Sequence, residues 1–397
     1  MSRSRSAPAA RLDQVDALRG FALLGILAVN IWSFADPYYA SPVSNPAYSS
    51  GLDHAVRWLV SILFEAKFYL LFSFLFGYSF TLQMDAAQRS GERFVPRMLR
   101  RQLALLAIGL VHGALLFHGE ILSLYAVLGL VLLMLRGWSA RWATGLAILL
   151  ITGTALLFLL FGISLLEAGL YTGTADGEPL LKDLALSGSA LQTLAYNASH
   201  WLETAAALWL LQGPSTLAMF LLGYVAGRKQ LLVAPYTFAP RLTRRLALTL
   251  PLGLGGALLY GYWAAYAPGG GLEIIGYGIS QLTAPLLAAS YAMLLLKSFD
   301  SALGQRLCRR LAPLGRMSLS NYLLQSLILS LLFTGYGLGL VNHLPLLWIP
   351  LLVIAIYLLQ MQLSALWLRS HLYGPCEWLL RAVTIAAWPS WRKRLAA

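Results

Sequence analysis

Ten mostly apolar stretches of about 20 residues follow one another along this chain, and the bases gather in short segments between them. Nothing constrains its fold more. In hydrocarbon every backbone N–H and C=O must be satisfied without water, and an apolar run of this length does so as an α-helix. The stretches lie near 18–36, 66–84, 102–118, 121–136, 142–166, 203–226, 245–267, 276–297, 318–340 and 346–367. Composition agrees: 58% of residues are hydrophobic and 11% charged, where a soluble domain carries about 25% charge. The expectation is an all-α polytopic integral membrane protein with roughly ten transmembrane helices. It forms a single integral-membrane domain over 1–397, with an N-terminal bundle over 1–300 and a C-terminal segment over 301–397.

The net charge of +13 suggests nucleic acid only until the bases are located. They flank the apolar stretches, where they set orientation, so no nucleic-acid partner is expected. Basic segments are the N-terminus, 85–101, 136–141, 228–245, 297–316 and a tail holding Arg392, Lys393 and Arg394. The alternate connections, 37–53, 119–120, 167–202, 268–275 and 341–345, are poor in bases. This alternation places both termini in the cytoplasm. The opening lacks a cleavable leader pattern, so the first helix serves as the insertion signal. Cys308 and Cys376 are too few for a disulfide framework, and no metal-ligand spacing occurs. The longest outer connection, 167–202, carries Glu167, Asp176, Glu178 and Asp183, and reads equally as a lid or a solvated linker. Residues 55–64 and 373–381 read as interfacial helices, the second with a proline near its start.

Four constellations bear polar groups into the apolar stretches, where ionisable residues are costly and are usually paired or used. Asp16 and Arg19 stand three apart at the mouth of the first helix. They make either a helix-end ion pair or a site for an anionic ligand, to which a guanidinium is suited. Asn30 lies about 16 Å further along the same helix. Next, Asp53-His54 precedes Glu65-Ala-Lys67 at the entry to the second stretch. Residues two apart do not face each other on a helix, so Glu65 and Lys67 take separate partners. In the third, His112 lies about 9–12 Å before the tip of a tight hairpin that carries Glu120 and leads to Tyr125. A histidine near a carboxylate is the minimum set for a general base and its orienting partner, and a buried structural imidazole is the alternative. The fourth, Ser318, Asn321, Tyr322, Gln325 and Ser326 just after Arg316, forms one polar stripe. It serves as interhelical glue or as the lining of a path.

These segments together resemble the YeiB-like family of bacterial membrane proteins, a family of unknown function. The matching stretches are Asp16-Ala-Leu-Arg19-Gly20 with Asn30, Lys67-Phe through Gly77, and His112 through Glu120 to Tyr125. The C-terminal segment adds Gly315-Arg-Met-Ser-Leu-Ser-Asn321-Tyr-Leu-Leu-Gln325-Ser and Gly374-Pro-Cys-Glu377-Trp-Leu-Leu-Arg381. Where the family usually has Asp in the hairpin, this chain has Glu120. The opening is also similar to that of membrane acyltransferases of the O-antigen and heparan-α-glucosaminide N-acetyltransferase types, which carry Asp-x-x-Arg-Gly at the same place. In the first type a histidine lies further along this helix, where Asn30 stands here. In the second it lies between the first two spans, where His54 is a loose match.

The resemblance implies a bacterial inner-membrane protein and transfer of an acyl group from cytoplasmic acyl-CoA. The acceptor would be a hydroxyl or amine of a periplasmic-side glycan or lipid-linked molecule. In that reading His112 or His54 is the base, and Glu120 or Asp53 orients it. Asp16, Arg19, Asn30, Lys67, Tyr125, Arg316, Asn321 and Gln325 bind the substrates. No metal is expected, the membrane lipid surrounds the protein, and a homo-oligomer stays open. A transporter or flippase for a small or lipid-linked molecule is the alternative, and a non-catalytic assembly protein is a third.

Overall fold

The computed structural model describes residues 7–39, 41, 45–48, 50–170, 178–232 and 239–393. Asp176, Arg394 and the first six residues lie outside them. The helices, in chain order, are α1 (Ala7–Ala35), α2 (Gly51–Leu63), α3 (Lys67–Ser90), α4 (Phe94–Leu115), α5 (Leu122–Leu135), α6 (Ala140–Ala168) and α7 (Glu178–Ser187). They continue with α8 (Ala190–Arg228), α9 (Ala239–Tyr266), α10 (Gly271–Ser298), α11 (Ala302–Arg316), α12 (Ser318–Phe333), α13 (Trp348–Ser370) and α14 (Pro375–Ile385). The protein is an all-α polytopic membrane protein. Eight segments are long and apolar enough to cross a bilayer: α1, α2 with α3, α4, α6, α8, α9, α10 and α13.

The other two expected spans are apolar but short. Helix α5 has 14 residues and α12 has 16. At 1.5 Å per residue they reach about 21 and 24 Å, less than the ~30 Å hydrocarbon core. The expected span 318–340 stops at Phe333 because the chain then turns through Gly335, Gly337 and Gly339, the last at φ 59°. Helices also form at the two segments expected to be interfacial. The face of α2 that carries Val56, Val60 and Ile62 is buried, and α14 has its proline in the first turn. Between α2 and α3 the chain bends at Ala66, whose φ of 67° puts an alanine in left-handed space. That bend carries strain of about 1–3 kcal/mol.

The first helix is the axis of the bundle. Leu18, Leu23, Leu27, Ile31 and Trp32 are all fully enclosed. Its basic end packs on α11 at backbone distance, because a Cβ on Gly20 would stand 2.5 Å from the Leu311 carbonyl oxygen. Helices α3 and α8 approach as closely through Gly77 and Gly223, each facing backbone of the other. Apolar burial adds little in lipid, so such small-residue contacts hold membrane helices together by close packing. The outward side of α6 shows the complementary feature, with Leu149, Leu156, Leu157 and Leu160 all exposed. A leucine face of that kind suits acyl chains.

Segment 167–202 is mostly helix. Helix α7 docks where the Gly335 amide donates to Leu186 O at 2.7 Å, and 190–202 forms the first turns of α8. The Asn-Ala-Ser sequon at Asn197 therefore sits on a helix with its asparagine buried, bonded to His118 rather than open to modification.

Candidate functional site

At the basic end, Asp16 and Arg19 pair one helical turn apart at 2.5 Å. The other arm of the Arg19 guanidinium donates to Ser79 Oγ on α3 at 2.5 Å. Arg316, from the end of α11, pairs with Asp13 and stands 3.5 Å from Asp16. The opening motif and the C-terminal motif thus meet in one charge cluster, which the 300 residues between them in sequence do not reveal.

At the other end, α4 and α5 form the expected hairpin. Glu120 is fully buried at its tip. Its carboxylate accepts from the Leu122 amide at 2.6 Å and the Ser123 amide at 3.1 Å. Two orphan amides of the α5 N-terminus are satisfied in this way, and the helix dipole favours the charge. Burial raises this carboxyl above the ordinary carboxylate range, opposed by those hydrogen bonds. Glycines at 109 and 113 make room for it, since a Cβ at either would crowd the Glu120 side chain.

His112 is 3% exposed, and neither of its ring nitrogens has a hydrogen-bond partner among the described residues. It forms no bond to Glu120, so the expected orienting pair is corrected: the carboxylate is turned to its own helix start. The ring of His112 faces Tyr322 of α12 at 5.2 Å and Phe117 at 6.3 Å. The Tyr322 hydroxyl is also buried without a hydrogen-bond partner. Two bonds fix α12 against this end of α4: Ser330 Oγ donates to Leu116 O at 3.1 Å, and Tyr336 OH to Leu115 O at 2.7 Å. Unpaired buried polar groups are expensive, and this histidine and tyrosine pack ring to ring with no hydrogen bond between them among the described residues.

The other expected site residues have structural partners. Asn321 donates to Ser364 Oγ at 2.9 Å and Gln325 to Gln360 Oε1 at 3.0 Å, while Gln360 donates back to Asn321 O at 2.9 Å. That side of the stripe glues α12 to α13, while its Tyr322 side faces His112. The Tyr125 hydroxyl meets Ser73 Oγ at 2.6 Å. The Lys67 ammonium, almost fully buried, donates to Ser61 O at 2.8 Å and closes the end of α2. Glu65 accepts from Tyr39 OH at 3.1 Å instead. Asp53 completes a capping box with Ser50 at the start of α2, and His54 beside it is exposed. The Asp53–His54 pair is therefore a helix cap and a surface ring. Asn30 is half-buried.

A network at the end away from the basic cluster was missing from the sequence reading. Asp36, buried after α1, accepts from Asn45 at 2.8 Å, and Asn45 donates also to Asn342 at 2.9 Å. The Arg57 guanidinium lies 3.7 Å from Asp36 and over the rings of Trp32 and Tyr39 at 5.0 and 4.8 Å. Asp36 at the close of the first apolar run was the one local signal; the Asn45–Asn342 bond of the network spans 297 residues. Among the described residues no group of three or more His, Cys, Asp or Glu is placed to hold a metal ion.

A helical membrane bundle with a charge cluster at one end and unbonded polar rings toward the other defines a class, and comparison with known proteins narrows it. Residues 226–387 match a family described as protein of unknown function (DUF418). The chain is 31% identical to the uncharacterized protein YxaH of Bacillus subtilis, with 95% of each chain covered. It is 30% identical to the uncharacterized protein YeiB of Escherichia coli, over 94% of this chain and 96% of that one. A 39.9 kDa protein of Bacillus acidopullulyticus is 32% identical over 94% of both. The chain belongs to this YeiB-like family of membrane proteins of unknown function. No solved structure matches it.

Proposed function

We propose that this protein is an inner-membrane acyltransferase. It moves an acyl group from cytoplasmic acyl-CoA to a hydroxyl or amine of a glycan or lipid-linked acceptor on the far side. The observation that carries the reading is His112, enclosed in the bundle with both ring nitrogens free and the unbonded Tyr322 hydroxyl opposite. A neutral imidazole in that state has one nitrogen able to accept a proton, as a general base requires. In the transfer, His112 takes the acceptor proton, the acceptor oxygen or nitrogen bonds to the acyl carbon, and the C–S bond breaks. The thiolate leaves and takes up a proton. Tyr322 donates to the thioester oxygen as negative charge gathers there. Arg19, between Asp16 and Ser79 at the basic end, receives the anionic part of the donor. Glu120 and Lys67 hold helix ends. The distant likeness of the opening motif to known acyltransferases supports the chemistry by analogy.

His112→Ala should lower turnover of a labelled acyl group by about 10²–10⁴-fold while leaving the melting temperature within a few degrees. Full activity in that variant would remove His112 from the mechanism. A transporter reading is favoured by one observation: prolines 214, 251 and 285 lie inside α8, α9 and α10, where each removes a backbone donor and weakens the helix, and carriers use discontinuous helices. It predicts substrate movement across vesicles with no acylated product.

A further inference from the structure

We propose that a second group of basic residues, at the junction of α3, α4 and α14, is a binding site for a phosphate group presented from the basic end. A small cleft there is walled by Phe76, Phe80 and Met98 and lined by Ser79, Gln83, Arg101 and Gln102. Arg101 joins none of the ion pairs at this end, where Arg19 holds Asp16, Arg97 holds Glu92 and Arg316 holds Asp13. Arg19 and Arg97, which also act on its guanidinium, carry their own carboxylates, and the nearby Glu377 is occupied by the amides of Leu319 and Ser320. Arg101 is thus left without a paired carboxylate among the described residues, and a bound anion supplies the missing charge.

The donor set points to a ligand: Arg101 and Gln83, both able to donate, line the cleft, and Arg101 has neither ion pair nor hydrogen bond among the described residues. Planar guanidinium forks match phosphate oxygens in pairs. Ser79, which holds Arg19, also lines this cleft and so links it to the opening motif. The assignment goes beyond the transfer reading, because a carrier of a phosphorylated molecule would use the site equally. The phosphate belongs either to a soluble ester such as CoA or to a lipid headgroup.

The test is thermal stability of the full-length protein in nanodiscs, since a ligand of the folded state raises it by mass action. Neutral phosphatidylcholine discs receive CoA or pyrophosphate, and a second set contains phosphatidylglycerol. Stabilisation by CoA or pyrophosphate in neutral discs supports the site with a soluble carrier. Stabilisation by phosphatidylglycerol alone supports it with a lipid carrier. In either case Arg101→Gln should weaken the effect by about ten- to a hundredfold, and Arg369→Gln, at an exposed base of the same end, should not. Arg101→Lys keeps the charge should the glutamine variant fail to fold, and binds more weakly than the native protein because it loses the paired contact. Equal stabilisation of native and Arg101→Gln protein, or none by any phosphate, overturns the proposal. The readout needs no turnover, so His112→Ala protein that still binds phosphate separates this site from the transfer chemistry.

Discussion

Single residues here divide by whether their polar atoms have partners. Glu120, Asp53 and Lys67 were candidates for chemistry because charge at a membrane edge is costly, and each proves to satisfy a helix end. The same physical rule predicts both uses, so sequence alone could not separate them. His118, in the hairpin turn, offers a direct test of burial. Burial pushes its imidazole down to about 4, Lys182 and His200 act in the same direction, and the bond that His118 donates to Asn197 Oδ1 opposes them. The unfolded chain binds a proton near 6.5, while the folded one resists until about 4. Stability is thus complete above pH 6.5 and falls as the pH drops toward 4, by no more than about 3 kcal/mol. Thermal unfolding across that window should show the loss, and His118→Gln should flatten it.

At the scale of elements, the two C-terminal motifs form one unit. Glu377 of α14 accepts from the Leu319 amide at 2.7 Å, the Ser320 amide at 3.1 Å and Ser320 Oγ at 2.5 Å. It caps α12 from another helix, and burial raises its carboxyl above the ordinary range. Helix α12 is too short to be held by lipid alone, and this cap fixes the end from which Tyr322 reaches His112. Glu377→Ala should lower stability by about 1–3 kcal/mol, the penalty for stranding buried donors, and should lower the melting temperature measurably. An unchanged melting temperature would show that α12 is held without this cap. The serines, Asn321 and Gln325 were legible as a stripe from their spacing. The division of that stripe, one side glued to Gln360 and Ser364 and the other facing His112, depends on where α4 and α13 lie.

For the whole molecule, the alternation of base-rich and base-poor connections argues an orientation. Arg19, Arg101, Arg316 and Arg369 lie at one end, and Asp36, Asn45, His118 and Asn342 at the other. With Cys308 and Cys376 replaced, a cysteine at the exposed Gln305 should react with an impermeant thiol reagent only in inverted vesicles. One at Ala47 should react only from outside. The reverse pattern would overturn the positive-inside assignment. The sequence by itself determined the all-α membrane class, all ten apolar helices and the two expected to be interfacial, because hydrocarbon leaves a backbone few alternatives and hydropathy is a local property. Only the tertiary structure decided which polar residues hold helix ends and which stand unbonded. A hydrogen-bond partner, as for Asn45 and Asn342 or Arg316 and Asp13, is set by which helices meet across the bundle, and no local run of residues encodes that meeting.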